Sequence, residues 1–597
     1  MTTMTHTGAG GLLRFVPALG ALRGYTRADA RADLFAGVTV AAVAVPQAMA
    51  YALAAGLPAQ YGLYTAIVMT AVGALFDSSR QLINGPTNAI SIAVLSVISV
   101  APGIDDKIAA AVLLAFMVGA IQLAITAARL GDLSRYISHS VIVGFTLGAA
   151  TLLVLDQSKN LLGLSAQGGH EPFVYRLWLT LSHGGPIHWT TTGVGFGTIA
   201  LLLALRAFKN RHGLVLLPEL LVTVIVMAAL VAGFGLDRHG VAVVGTIPSD
   251  LPQPRLPELD HELMRTLSSG ALAIAILGLL EAIAMAKAIA AQTRQKLDVN
   301  QQCLSEGLAN FTGSFFQCMP GSGSLTRSAI NQQAGAVSQW AGVVSAAVVA
   351  LIMVAFAPFA QFIPRAALAG ILVVSAWRMI DWPALVYHVR ITRFDAAIVG
   401  ATAFSAVFIS IEFCVLIGVL MSFALTVRRA GRIRLTEFVV APDGAIRERL
   451  PDDARCERLR IYGFDGEMFF GASAALERHF AMIERALDQD CRALVLRLKR
   501  TRNADAVAIS MLEGFVARVQ DRGVAVLLCG VSADLERKLV STRLGDLLGD
   551  RLFREERVRL TSTVLAVRRA YAIIGDPCPN CPRRDAMKAD RSLYYVV

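Results

Sequence analysis

Glu281 is the single acid of a long apolar run, Ala271 to Ala291, in which Lys287 is the one other charge. At bilayer depth an ionised carboxylate must be paired, hydrogen-bonded or protonated, because desolvation penalises its charge. The chemistry on offer is proton coupling; the alternative is a structural partnership with Arg327 or Lys287. Arg327 poses the complementary question, one turn into a short segment that follows Met319-Pro320-Gly321-Ser322-Gly323. An intramembrane arginine is a fixed positive charge beneath an anion, or a partner that neutralises an acid such as Glu281.

Small and hydroxylated residues open two short segments, whose N-termini converge on one site if the segments face each other at the bilayer midplane. Thr87, Asn88 and Ala89 open one short segment, and Ser324, Leu325 and Thr326 open another. A helix N-terminus carries unpaired backbone N–H groups and the positive end of the helix dipole, so it binds an anion without a buried cation. Small side chains let the backbone approach the ligand, and hydroxyls add donors. Thr87 and Ser324 could equally cap their own helices; the backbone amides are the firmer expectation. Upstream, Pro46 predicts a kink or an unwound turn, and Gln47 and Tyr51 beside it could line the same cavity.

These residues need elements to hold them. The chain has 597 residues, of which 55% are hydrophobic and only 17% charged, against about a quarter charged in soluble proteins. Apolar runs near the length that a bilayer core requires divide into two sets. The first holds 33–55, 61–77, 87–101, 107–128, 140–156, 189–207 and 214–236. The second holds 269–291, 298–315, 324–336, 340–360, 366–380, 395–411 and 413–427. The third element of each set is too short to cross alone and follows a Gly/Pro-rich stretch, Asn84-Gly85-Pro86 in one case and residues 319–323 in the other. Matching short, interrupted segments in two halves point to a transporter built from inverted repeats. Two re-entrant loops without a common origin are the alternative.

Loop charges give an orientation. Arg80, Arg129 with Arg135, Arg206 with Lys209 and Arg211, Arg294 with Lys296, Arg378 with Arg390 and Arg393, and Arg428 with Arg429 fall on one side. The opposite connections carry Asp105, Asp106 and Lys107, Glu412, or a lone Arg365, with two mixed loops near 157–188 and 237–268. By the positive-inside bias, both termini are expected in the cytoplasm of a multi-pass protein of the cell membrane. The net charge of +11 therefore reports topology rather than nucleic acid. Met1 to Leu13 has no basic n-region followed by an apolar run and cleavage site, so a signal peptide is not expected. Cys578 and Cys581 form a single pair in a polar tail, which reads as unstructured rather than as a metal or redox site. No phosphate-cradling Lys-Ser/Thr loop and no His-Glu-x-x-His is present, so neither an enzyme nor a cofactor is expected.

After Arg434 the composition becomes that of a soluble domain. Leu459 to Tyr462, Ala493 to Leu498 and Val524 to Leu528 read as strands, with helical periodicity over Ser473 to Leu487 and Ser510 to Gln520. That alternation predicts a small α/β domain. The expected division is a cytoplasmic segment 1–32, a transport domain 33–430, an α/β domain 431–572 and a tail 573–597.

Pro46-Gln47-Ala48-Met49-Ala50-Tyr51, Pro58-Ala59-Gln60-Tyr61-Gly62-Leu63-Tyr64, Gly85-Pro86-Thr87 and Gly323-Ser324-Leu325-Thr326-Arg327-Ser328 together resemble the SulP (sulfate permease) family over about residues 14 to 572. The C-terminal part resembles the STAS domain of that family. The resemblance implies an α-helical polytopic membrane protein of seven-plus-seven inverted repeats, with core and gate domains, elevator-like motion and homodimers. It implies secondary active transport of a small inorganic or organic anion, sulfate first, with bicarbonate, a dicarboxylate or a passive channel or exchanger as alternatives. By the same resemblance Gln47, Tyr51, Thr87, Asn88, Ser324, Thr326 and Arg327 are cavity residues, alongside the Ala89 and Leu325 amides. Glu281 takes the place of an acid associated with a co-transported cation, a proton more than sodium. One departure concerns the STAS loop, Asp505-Ala506-Val507-Ala508 here where phosphorylatable relatives read Asp-Ser-Ser-Gly. Both hydroxyls are gone, so a phosphorylation switch is not expected. The adjoining basic cluster, Arg497, Lys499, Arg500 and Arg502, reads as a solvated face, or less simply as a site for membrane phosphate or a nucleotide.

Overall fold

The computed structural model describes residues 16–99, 101, 103–129, 138–168, 173–213, 217–555, 561–575 and 594–595. Arg135, Cys578, Cys581 and Met1 to Leu13 lie outside them. The chain divides into two compact units between Ser422 and Phe423.

The first unit is helical. Its first half holds α1 (Arg27–Ala54), α2 (Ala59–Phe76), α3 (Asn88–Ile98), α4 (Ile104–Ala127), α5 (His139–Leu162), α6 (Trp189–His212) and α7 (Glu219–Gly233). Its second half holds α8 (His261–Thr293), α9 (Val299–Ser314), α10 (Leu325–Gln333), α11 (Trp340–Phe356), α12 (Arg365–Met379) and α13 (Arg393–Phe408), and α14 (Ile411–Ala430) runs on across the division between the units. Among the described residues eight helices are long and apolar enough to cross a bilayer, or nine if α12 counts with the helix Trp382–Ile391, bent from it by 41°. Local chemistry sets the ends. Thr26 and Asp29 form a reciprocal capping box that starts α1 six residues before the apolar run, and Gly163 and Gly213 stop α5 and α6 in the left-handed conformation. The loop expected at 157–188 also holds a helix, Phe173–His183. Pro46 unwinds nothing: α1 is helical on both sides of it, with Val43, Ala44, Gln47 and Ala48 buried around it.

The packing repeats under exchange of the halves. α4 packs on α9 as α11 packs on α2; α5 on α13 as α12 on α6; α1 on α11 as α8 on α4; α1 on α10 as α8 on α3. The pairs α2 with α9 and α5 with α12 map onto themselves. This is an inverted seven-plus-seven repeat with a pseudo-two-fold axis, so the two short helices are equivalent elements. The contacts also sort the helices into a core, α1–α4 with α8–α11, and a gate, α5–α7 with α12 and α13, which α14 joins where Gly418 approaches Thr402 and Val141.

At the centre of the core the two segments before the half-helices cross. They pair as two-residue antiparallel strands, β1 (Asn84–Gly85) and β2 (Ser322–Gly323), with Asn84 opposite Gly323 and Gly85 opposite Ser322. Extended backbone at this depth must be satisfied by protein, and it is. Thr70 Oγ1 donates to Asn84 O at 2.5 Å, Asn310 Nδ2 donates to Gly321 O at 3.2 Å, and Gly321 N donates to Asn310 Oδ1 at 3.0 Å. Glycine is required here. Gly85 has φ +140°, and a Cβ there would lie 2.8 Å from Arg327 Nη1; one on Gly321 would lie 2.5 Å from Gly85 O.

The second unit is a seven-stranded sheet. In chain order its strands are β3 (Arg434–Val440), β4 (Ala445–Glu448), β5 (Leu459–Glu467), β6 (Ala493–Arg502), β7 (Ala525–Val531), β8 (Leu552–Arg554) and β9 (Tyr594–Tyr595), arranged β8-β7-β6-β5-β3-β4-β9. The run β5 to β8 is parallel, and β3 is antiparallel to both β4 and β5. Helices α15 (Ser473–Ala486) and α16 (Ala506–Asp521) cover one face, where Phe480 and Phe515 stack at 4.4 Å. Helix α19 (Thr561–Ile574), which follows α17 (Ala533–Val540) and α18 (Arg543–Leu548), covers the other through Ala566, Val567 and Ala570. The hairpin β3–β4 adds to the strands expected from sequence.

Candidate functional site

The half-helices α3 and α10 end at the crossing, and their first turns supply N–H groups without intrahelical acceptors. Ala89 and Leu325, from those two first turns, open onto one cavity of about 60 Å³ between core and gate. Glu281 stands at its edge, and Phe145, Met379 and Val415 close it from the gate side. A larger cavity, about 630 Å³, lies between α1, α7 and the end of α11. Its lining of Val, Ile, Leu, Met, Phe, Ala and Pro side chains offers no donor to an anion, so the smaller cavity is the candidate site.

Glu281 Oε2 accepts two hydrogen bonds, from Ser322 Oγ at 2.6 Å and from Thr87 Oγ1 at 3.1 Å. Arg327 is fully buried, and its Nη2 donates to Pro86 O at 2.9 Å. Among the described residues neither group is salt-bridged to the other or to Lys287. The acid is held by hydroxyls, and the cation is held by a carbonyl behind the first half-helix. The ion-pair alternative is therefore not what this conformation contains.

The caps differ. Thr87 makes no side-chain bond to its own helix, because its hydroxyl goes to Glu281. Ser324 does cap α10, accepting from Arg327 N at 3.5 Å. Gln47 is buried with Oε1 unpartnered, and Tyr51 is buried within electrostatic reach of Arg327 and Glu281. Asn88 Nδ2 approaches Met379 Sδ at 3.7 Å, and its Oδ1 has no partner. Thr326 is partly buried in the first turn of α10. Sequence reasoning missed Ser322, although it stands inside the quoted glycine-rich stretch, and Arg378, in the last turn of α12 and within reach of Tyr51. Among the described residues no group of three or more His, Cys, Asp or Glu could hold a metal.

Core and gate meet unequally. α1 packs on α5, α7 and α12, and α3 packs on α5, whereas their counterparts α8 and α10 pack chiefly within the core. The cavity occupies the gap so left, along α8 from Leu277 to Met285. In the second unit, Asp505 caps α16 through Ala508 N at 2.9 Å and also accepts from Phe470 N at 2.7 Å. Arg497 is buried over the Phe438 ring, and Lys499 and Arg500 pair with Glu555 and Asp465.

Comparison with known proteins places this geometry. The model of the sulfate permease family matches residues 31–402, and that of the STAS domain matches 451–558. The chain is 30% identical to YvdB of Bacillus subtilis, over 91% of this chain and 99% of that one. It is 31% identical to the sodium-independent sulfate anion transporter of Bos taurus, over 71% of this chain and 73% of that one. Its fold matches murine Solute Carrier 26 family member A9 in the inward-facing state, with a TM-score of 0.83, 20% identity and 96% of each chain covered.

Proposed function

The chain belongs to the sulfate permease family, and from that premise we propose that it carries a small oxyanion, sulfate first, across the cell membrane by proton-coupled secondary transport. One observation carries the reading: the first turns of both half-helices open onto a single cavity with Glu281 at its edge. The anion is held by the α3 and α10 amides, with Thr87, Asn88, Ser324 and Thr326 as polar neighbours and Gln47 and Tyr51 behind them. Arg327 adds fixed positive potential from beneath. Hydroxyl donors hold Glu281 while it is charged. A proton taken up there offsets one negative charge of the substrate and lowers the cost of moving the loaded core.

The unequal contacts support an elevator-like step in which the core slides against the gate. The gap runs along α8 toward Arg294 and Lys296, the side expected in the cytoplasm with both termini, so this conformation is read as inward-facing. A homodimer of such units is the expected assembly. Uptake by proteoliposomes from a panel of sulfate, bicarbonate and dicarboxylates, with and without an inward proton gradient, tests the reading. Sulfate uptake that grows with the gradient supports it. Uptake of another anion alone replaces the substrate, and uptake indifferent to the gradient removes the coupling.

A further inference from the structure

Among the described residues Glu306 is the one buried acid whose two carboxylate oxygens have no hydrogen-bond partner; the residue is 0% exposed. An ionised carboxylate in that state is among the costliest groups a protein can contain. Its surroundings deepen the cost. α9 packs against α2, α4 and α8, and the charged groups acting on Glu306 are the carboxylates of Asp77, at the end of α2, and Glu281, on α8. α4 presents the neutral amide of Gln122, whose Oε1 accepts from Asn310 Nδ2 at 3.0 Å. Of the remaining titratable groups of these helices, Tyr61, Tyr64 and Asp105 to Lys107 lie at the opposite ends of α2 and α4, His261, Glu262 and Arg265 in the first turns of α8, and exposed Lys287 beyond Glu281, while the neutral thiol of Cys303 is buried one turn before Glu306 on α9 itself. Arg327, the buried cation of this layer, is turned to Pro86 O.

Gln302, Glu306 and Asn310 follow at intervals of four on one face of α9. Gln302 Nε2 donates to Asp77 Oδ1 at 2.5 Å, and Asn310 Nδ2 donates to Gly321 O at 3.2 Å. Glu306 therefore lies between Asp77 and the crossing strands. Asp77 also accepts from Asn84 Nδ2 at 3.1 Å, and Glu281 has its two hydroxyl donors. Glu306 has none, while Asn84 Oδ1, in the same layer, is likewise without a donor. Three carboxylates in one buried layer call for a neutralising cation. Space selects which one, for a Cβ on Gly73 would lie 2.1 Å from Asn84 Nδ2 and one on Gly307 3.0 Å from Leu123. Such packing leaves a proton, which needs no volume, ahead of a coordinated sodium ion.

We propose that Asp77 and Glu306 form a second cation site behind the crossing strands, separate from Glu281, and that its cation is a proton bound to Glu306. The proton comes from solvent, forms one O–H bond on the Glu306 carboxyl and leaves the Asp77–Glu306 pair with a single negative charge. The site stands on the packing of the core and is independent of the transport reading.

The test reads no transport. Infrared spectra of the full-length protein in lipid nanodiscs are recorded at neutral pH without sodium, in H2O and D2O. The expected result is the carbonyl band of a protonated carboxyl, shifted in D2O, retained in Glu281→Gln and lost in Glu306→Gln, with the melting temperature of Glu306→Gln matching the wild type. Glu306→Asp, should the glutamine variant fold poorly, is expected to shift the band. A wild type without the band, or a band unmoved by either substitution of Glu306, overturns the proposal. So does a melting temperature that sodium raises in the wild type and not in Glu306→Gln, which would make the cation sodium.

Discussion

Thr87 Oγ1 donates to Glu281 Oε2 across 3.1 Å and 194 residues of sequence. The residue that should cap the first half-helix is tied instead to the acid of the second half, and Ser322, from the opposite crossing strand, donates to the same oxygen at 2.6 Å. Anything that moves the α3 N-terminus thus also moves a donor of Glu281. Charge-assisted bonds of this kind are worth roughly 1.5–3 kcal/mol, about ten- to a hundredfold in rate if they matter in the rate-limiting step. Thr87→Val and Ser322→Ala are each expected to lower anion uptake by about tenfold or more, with Thr87→Ser near wild type. Wild-type uptake by correctly inserted Thr87→Val would show that the bond has no part in transport.

Arg327→Ala is expected to cut uptake by at least about tenfold while leaving insertion and assembly intact, since a neutral residue removes positive potential from beneath both half-helices. Arg327→Lys restores part of it: the charge returns, but the planar donor to Pro86 O does not. Unchanged uptake by a well-folded alanine variant would make Arg327 a packing element of the crossing.

Deletion of the chain after Arg434 removes every strand of the second unit but for the first residue of β3 and leaves the fourteen helices. The truncated protein is expected to insert, with lower activity or assembly than the full chain. Full transport and normal yield would make the STAS domain dispensable.

The STAS domain carries its own stability tests. Phe515 is fully buried against Phe480, so Phe515→Ala should destabilise that unit by about 3–5 kcal/mol, seen as early loss of its far-UV signal on heating. Asp453 accepts two bonds from Arg447, both at 2.6 Å, and one from Leu450 N at 2.7 Å. These hold its carboxyl below the usual aspartate range, the Arg447 bonds being the largest cause. A lowered folded value means stabilisation that is complete above the ordinary aspartate range and lost as pH falls through the folded value. Wild type should therefore lose stability on the acid side, and Asp453→Asn should show less of that loss. Parallel melting curves for the two proteins from pH 7 down to pH 3 would contradict the assignment.

The spans and the two half-helices were legible because each leaves a local mark, an apolar run of bilayer length or a Gly/Pro break before a short helix. The α/β pattern after Arg434 was legible for the same reason. The β3–β4 hairpin was not singled out, although Pro442-Asp443-Gly444 between two strand-like runs is a turn signal. What stayed hidden was partnership. No spacing indicates that Thr87 abandons its cap for Glu281, or that Arg327 faces a carbonyl rather than an acid. Glu306 did leave a trace, as an acid inside 298–315, but only the packing of α2, α4 and α8 shows that nothing answers it. Of the two expectations for Pro46, a kink or an unwound turn, the unwound turn is not formed, since α1 is helical through it.

The most direct test of the transport reading compares wild type with Glu281→Gln in proteoliposomes. Glutamine keeps the shape of Glu281 and an oxygen for Ser322 Oγ and Thr87 Oγ1, and removes the titratable proton together with the negative charge. Net sulfate uptake and sulfate–sulfate counterflow are measured at several external pH values with fixed internal pH. The account predicts wild-type uptake that rises with the inward proton gradient, and a Glu281→Gln protein that loses this dependence while retaining counterflow. An identical pH dependence in the two proteins would contradict it and leave Glu281 as a structural partner of Thr87 and Ser322.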